Sequence, residues 1–256
     1  MRKEYPEAET EQQREDKLDA EFQVQKSPFL AWLDNFWYHY KWHVIVIVFF
    51  VSVIALCVGQ FVSKPKYDTN FAIGSWYRMS EDQKSDYAEV INHLLPEDYD
   101  GNGSKNVNIM VYQIYSNEDV EEEKKIAEAE SEKYFFNTKY NTDEFNNFSQ
   151  FTMTGECSVF LISPHLYATL SSAERLLPMT ELYKDRELPQ GVTEDGNGIY
   201  ISQTDFYNYH PAVQVMPDDM ILCILKPMVW GGSSDEASYA KEKAFFCAIA
   251  DFEVKE

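Results

Sequence analysis

Residues 157–175 read CSVFLISPHLYATLSSAER. The run Cys157–Ile162 is almost wholly apolar, as expected of a strand covered on both faces in the middle of a largely parallel sheet. Ser163-Pro164 then suits a helix start, since proline fits the first turn and needs no N–H there. That helix is expected to run to about Arg175. Upstream, Thr69–Ile73 reads as a short strand ending at Gly74. Ser80 and Gln83 form a capping box for a helix that places Tyr87, Val90, Ile91, Leu94 and Leu95 on one face and stops at Pro96. Val107–Tyr115 alternates at period two, a strand signature, and Asn117 is positioned to cap a long helix over 118–136 whose acidic front suits the helix dipole. Downstream, Gly196-Asn197-Gly198 turns into a strand over Ile199–Gln203. The run MILCIL within Asp219–Pro227 supplies another, and Ala237–Phe252 closes the chain as a helix. Strands alternating with helices predict an α/β fold, a three-layer domain with a mainly parallel sheet.

One run precedes this domain. His43–Val62, HVIVIVFFVSVIALCVGQFV, has no Asp, Glu, Lys, Arg or Pro. About 20 such residues, wound as a helix, match the ~30 Å hydrocarbon core of a bilayer. Phe36, Trp37, Tyr38, Tyr40 and Trp42 crowd its front, where aromatic rings settle at headgroup level, and Lys64, Pro65 and Lys66 end it. A chain with some forty polar residues ahead of its apolar run is expected to keep that run as an uncleaved signal-anchor. Leu56 stands where lipoprotein processing at Cys57 would need a small residue, so Cys57 reads as a membrane-buried thiol. Four segments follow: a disordered cytoplasmic tail at 1–27, a juxtamembrane amphipathic helix at 28–42, a transmembrane helix at 43–62 and an extracytoplasmic α/β domain at 63–256. The tail is Glu/Gln/Lys-rich with few large apolar groups. Phe29, Trp32, Leu33, Phe36 and Trp37 fall at helical spacing in the second segment. Six Lys or Arg precede the span, which predicts a single-pass protein of the cell membrane with its N-terminus in the cytoplasm.

Beyond residue 42 the chain carries 16 Lys or Arg against 34 Asp or Glu. A surface so acidic repels nucleic acid and anionic headgroups, which excludes nucleic-acid binding, and it attracts cations or cationic ligands. The same acidity also serves to keep an exposed domain soluble. Cys157, Cys223 and Cys247 all lie in apolar runs and are expected to be buried and unpaired. Cys/His spacing for zinc is missing.

The stretch Ser158–Leu182, with its phrase Leu177-Pro178-Met179-Thr180-Glu181-Leu182, and the glycine turn DGNGIYISQT over 195–204 resemble one lobe of an extracytoplasmic solute-binding protein of the periplasmic type. The whole chain also resembles single-span anchored proteins of uncharacterised role in Gram-positive bacteria. The resemblance implies a membrane-anchored ligand-binding module reduced to a single lobe, because 63–256 is too short for two lobes and a hinge. The alternative is a non-catalytic interaction or scaffold subunit of a cell-envelope complex, with a membrane-protein partner.

Open α/β sheets place ligands at the carboxyl ends of their strands. The residues expected there are Trp76 and Tyr77 after the first strand, Tyr115 after the second, and Ser163 with His165 after the third. Flat aromatic faces with a polar edge suit a sugar or a peptide, and they equally suit local packing or a partner surface. Asp98-Tyr99-Asp100-Gly101-Asn102-Gly103 matches the front half of an EF-hand-type loop, in which Asp98, Asp100 and Asn102 would offer oxygens to Ca²⁺. Position twelve is Ile109 rather than Glu and a strand follows, so a plain turn is the expected reading. GxSxG, HExxH, GxxxxGK[ST] and GxGxxG do not occur, and the chain is expected to bind rather than catalyse.

Overall fold

The computed structural model describes residues 27–63, 66–129, 137–228 and 235–254. Residues 1–26 of the expected 1–27 tail, and the far end of the expected 118–136 helix at 130–136, lie outside those residues. The chain divides into two units, Met1–Pro65 and Lys66–Glu256.

Among the described residues the first unit holds a single helix, α1, Pro28–Ser63, of 36 residues. It is the one helix among the described residues that is long and apolar enough to cross a membrane, and none of its side chains is buried. At ~1.5 Å per residue it is ~54 Å long, well beyond a ~30 Å hydrocarbon core. It runs without a break between residues 42 and 43, so the segments read as juxtamembrane and transmembrane are continuous. Phe29, Trp32, Phe36 and Tyr40 stack successively along the leading end, with ring centroids 6.2, 5.5 and 5.2 Å apart. This is the expected contact of side chains three or four residues apart on one helix face.

The second unit is built on a five-stranded open sheet. Its strands are β1 Thr69–Ser75, β2 Val107–Gln113, β3 Val159–Ile162, β4 Gly198–Tyr200 and β5 Ile221–Ile224, in the order β2-β1-β3-β5-β4. Strand β1 pairs in parallel with β2, Phe71 opposite Ile109, and in parallel with β3, Phe71 opposite Val159. The parallel core expected from the sequence is therefore present. Strand β5 departs from it, pairing antiparallel with both β3 (Ile162 opposite Ile221) and β4. An apolar run such as MILCIL specifies burial on both faces and carries no sign of direction.

Successive strand residues face opposite ways, and the core divides accordingly. Phe71, Ile73, Ile109, Val159, Leu161, Leu222 and Ile224 join Tyr87 and Ile91 of α2 (Glu81–Leu94) and Phe245, Phe246 and Ile249 of α8 (Glu236–Ala250). Ala72, Phe160, Ile162, Ile221 and Cys223 join Phe148 of α4 (Thr138–Thr154) and Leu166, Tyr167 and Leu170 of α5 (Pro164–Ser172). All four residues of β3 are fully buried. Each large side chain withdrawn from water contributes about 1.5–3 kcal/mol, so this short strand is a principal source of stability.

The capping box of α2 forms as the sequence predicts: Ser80 Oγ accepts from Gln83 N–H, and Gln83 Oε1 accepts from Ser80 N–H. The helix after β2, α3, covers Asn117–Ala129. Helix α4 was not anticipated. Its Asn- and Thr-rich sequence has poor helix propensity, but Asn137 caps its start, Gly155 ends it in the left-handed region, and Phe148 anchors it. The short α6 (Met179–Leu182) and α7 (Asp205–Tyr209) complete the unit. The strand expected over Ile199–Gln203 is only Gly198–Tyr200, followed by a 3₁₀ turn. Gly198 is needed there, since a Cβ would come within 2.6 Å of Ile221 and 2.8 Å of Tyr167.

Among the described residues all four cysteines are free. Cys157 and Cys223 are buried as expected. Cys247 is only half-buried, a correction to the expectation, because its position on α8 brings Sγ to the edge, 3.1 Å from the Arg186 guanidinium.

Glu242, also on α8, is buried, and among the described residues its Oε2 has no hydrogen-bond partner. Burial raises its carboxyl from the ordinary 4.5 to about 7. The folded state therefore holds a proton that the unfolded chain releases from pH 4.5 upward. Stability is lost as pH rises between those values, by at most about 3 kcal/mol. Glu242→Gln is predicted to raise the melting temperature at pH 8 more than at pH 5. A lower melting temperature at pH 8 would show that the carboxylate has a partner worth keeping.

Candidate functional site

The chain leaves β1, crosses through α2 to β2 on one side, then passes through α3 and α4 to β3 on the other side. The carboxyl ends of β1 and β3 thus mark a point where strand order reverses, the place at which open α/β sheets form a crevice. Backbone bonds hold the exits together. Ile114 N–H donates to the Ser75 carbonyl at 2.8 Å, and Ser163 N–H donates to the Gly74 carbonyl at 2.9 Å.

A cleft of about 560 Å³ opens at this point. Its walls come from three strand exits: Trp76 after β1; Ser116, Glu118 and Asp119 after β2; Ser163, Pro164 and His165 after β3. Asp219 is added from a fourth direction. Because β5 is antiparallel to β3, its start lies beside the end of β3, so Asp219, two residues before that strand, reaches the cleft. Sequence reading missed Asp219 for that reason.

The polar groups have specific neighbours. Ser163 is buried, and its Oγ lies 2.9 Å from His165 Nδ1. His165 Nε2 is buried without a partner, and burial holds the imidazole below its usual pKa, with the Asp119 charge acting in the opposite sense. Burial raises the Asp219 carboxyl above its usual range, and the charges of Asp218 and Asp119 add to the effect. At the front of α3, Ser116 N–H donates to Asp119 Oδ2 (2.9 Å) and Asp119 N–H donates to Ser116 Oγ (3.1 Å). The helix start is thus occupied by its own carboxylate.

A second, smaller cleft of about 350 Å³ adjoins the first across Trp76 and Asp119, and is lined also by Tyr115, Glu122, Glu123 and Ile126. Trp76 is 45% exposed. Gln113 Nε2 donates to the Tyr115 hydroxyl at 2.8 Å and to the Trp76 carbonyl at 3.3 Å. Asn141 of α4 clamps the Tyr115 backbone, its Oδ1 accepting from Tyr115 N–H and its Nδ2 donating to the carbonyl. Asn141 could be placed only once α4 was seen.

Of the five residues expected at the strand ends, Trp76, Ser163 and His165 line the same cleft, and Tyr115 lines the adjoining one. Tyr77 lines neither. Its ring packs against the core beneath α2, and its hydroxyl is bonded to the Gln83 amide. The strand turns sharply after Ser75, where Ser75 Oγ accepts from Tyr77 N–H, so consecutive residues separate.

Carboxylate oxygens of Asp68, Asp98 and Asp100 lie within 4.8 Å of one another. They are engaged in building the turn. Asp98 accepts from Gly101 and Gly103 N–H, which hold its carboxyl below the usual range. Asp100 accepts from Asn102 N–H, and Asn102 Oδ1 accepts from the N–H and hydroxyl of Ser104. Asp68 accepts from Tyr99, Asp100 and Asn106 N–H at 2.6, 3.0 and 2.8 Å. Gly101 and Gly103 supply positive φ values of 70° and 88°.

Comparison with protein-family models, with curated proteins and with solved structures returned no match.

Asp68→Ala leaves three loop N–H groups to water and is predicted to cost about 1–2 kcal/mol. The loss should be the same in a calcium chelator as in millimolar calcium. A loss seen only with calcium would establish a metal site.

Proposed function

We propose that this chain is a single-pass, membrane-tethered binding module. Its N-terminus is cytoplasmic, and residues 66–256 form an extracytoplasmic, three-layer α/β domain of reduced, one-lobed solute-binding type. The observation that carries this reading is the cleft of about 560 Å³ at the strand-order reversal, which brings Trp76 and His165 together with three carboxylates. Its size is that of a small-molecule site. The site binds and does not catalyse. The Ser163–His165 contact uses Nδ1, and among the described residues Nε2 has no partner, so none of them orients the ring as a general base would require.

One observation favours the scaffold reading. A groove of about 690 Å³, largely apolar, lies between α2 and the segment after α7, lined by Val90, Leu94, Tyr209, Pro211, Val215 and Phe252. Tethering serves either role, because it confines the domain near other membrane proteins and raises their effective concentration.

Thermal-shift screening of the full chain in nanodiscs against sugars, peptides, amino acids and metal ions is expected to give at least one class that raises the melting temperature and loses its effect on Trp76→Ala. A flat response to every class, with cross-linking capturing a membrane protein on the groove, would favour the scaffold instead. Protease added to intact cells is expected to remove residues 66–256; full protection of that domain would reverse the orientation.

A further inference from the structure

We propose that the ligand of the strand-end cleft is a small organic cation, an amine or quaternary ammonium that lays its charge between Asp119 and the face of Trp76. This rests on the binding-module reading and adds the ligand's charge and chemical class.

The carboxyl edge of an open α/β sheet ordinarily favours anions, because helix N-termini bring free N–H groups and positive dipole ends to it. Here that preference is removed at the start of α3 and weakened at that of α5. The start of α3 is closed by the reciprocal Ser116–Asp119 bonds, so a carboxylate of the chain already sits where an anion would bind. The start of α5 is Pro164, which has no N–H, so this helix end offers only the N–H groups of His165 and Leu166. Glu118, Asp119 and Asp219 then line the cleft, and no Lys or Arg lines it among the described residues.

Asp119 and Asp219 are like charges that act on one another. The Asp219 carboxyl is already disfavoured by burial and by Asp218, and the charge of Asp119 adds to this. An arriving cation relieves that repulsion and an anion aggravates it.

The aromatic wall narrows the class. Trp76 stands between the two clefts, and Tyr115 shares the smaller one with Asp119, Glu122 and Glu123. Near Tyr115 the charges of Glu123 and Asp119 outweigh that of Arg78. A cation within about 6 Å of an indole face is held by the ring quadrupole, and alkylated ammonium groups, being weakly hydrated, gain most from such a wall. A bare divalent metal ion gains nothing from it and prefers a full set of oxygens. The cavity also exceeds what an ion alone would fill and leaves room for the body of an organic molecule.

The test is calorimetric titration of the full chain in nanodiscs at physiological ionic strength. The probes are tetramethylammonium and 1,4-diaminobutane, with sodium acetate, glucose and magnesium chloride as comparisons. Saturable binding of at least one organic cation is expected, weakened about tenfold or more by Trp76→Ala and by Asp119→Asn. A thermal melt of each variant checks that it is folded, and Asp219→Asn serves as the second carboxylate probe should Asp119→Asn unfold. Saturable binding of acetate or glucose that depends on Trp76, with no organic cation bound, would overturn the charge assignment while leaving a binding module. Cation binding indifferent to Trp76→Ala and matched by magnesium would reduce the site to diffuse surface attraction and overturn the proposal. No binding by any probe would overturn it as well, and capture of a protein partner in the same preparation would overturn the binding-module reading with it.

Discussion

Strand β1 is the constraint on which the second unit depends. It is bonded in parallel on both sides, to β2 and to β3, and Phe71, Ala72 and Ile73 are fully buried. A parallel neighbour cannot be reached by a tight turn, so each pairing requires a crossover through helices. One crossover from β1 to β2, and a second from β2 back past β1 to β3, gather three strand exits at one edge and leave a gap between the helices that follow them. The cleft is a consequence of that connectivity. Its chemistry is then set by which residues stand at the exits, and here these are mostly carboxylates and aromatic rings.

The interactions that fix this edge are local and inexpensive. Two backbone bonds align the exits of β2 and β3 with β1. Asn141 fixes the Tyr115 backbone, and Ser116 with Asp119 fixes the start of α3. At the opposite end of β1, Asp68 gathers three N–H groups from the loop before β2, which ties the first crossover to the sheet. The acidic sequence of that loop is spent on turn geometry, whereas at the strand exits Asp119 caps α3 while Glu118 and Asp219 line an open cavity beside it. Similar residue types thus serve different ends according to the N–H groups within reach.

Much of this was legible in the sequence. The three parallel strands lie where alternation and apolar runs place them, and the capping box at Ser80 and Gln83 forms as its spacing predicts. The apolar run from His43 sits in one unburied helix. What the sequence did not reveal has physical reasons. Strand direction leaves no trace in an apolar run, so the antiparallel β5, and with it the arrival of Asp219 in the cleft, could not be read. Helix α4 has few strong helix formers among its Asn, Thr and aromatic residues and is stabilised by its caps and by Phe148, so its propensity concealed it. Trp76 and Tyr77 are adjacent in the chain, and only the turn after Ser75 separates the one that lines the cleft from the one that packs beneath α2.

The central claim is that the strand-end edge beside Trp76 is where this protein meets its ligand. Fluorine NMR of the full chain labelled with 5-fluorotryptophan tests it most directly, with the Trp76 resonance assigned by its loss in Trp76→Phe. The Trp76 signal is expected to shift on saturation with any compound that raises the melting temperature, while the signals of Trp32, Trp37 and Trp42 stay fixed. A compound that binds and stabilises the protein without moving the Trp76 signal would place the site elsewhere and contradict the account.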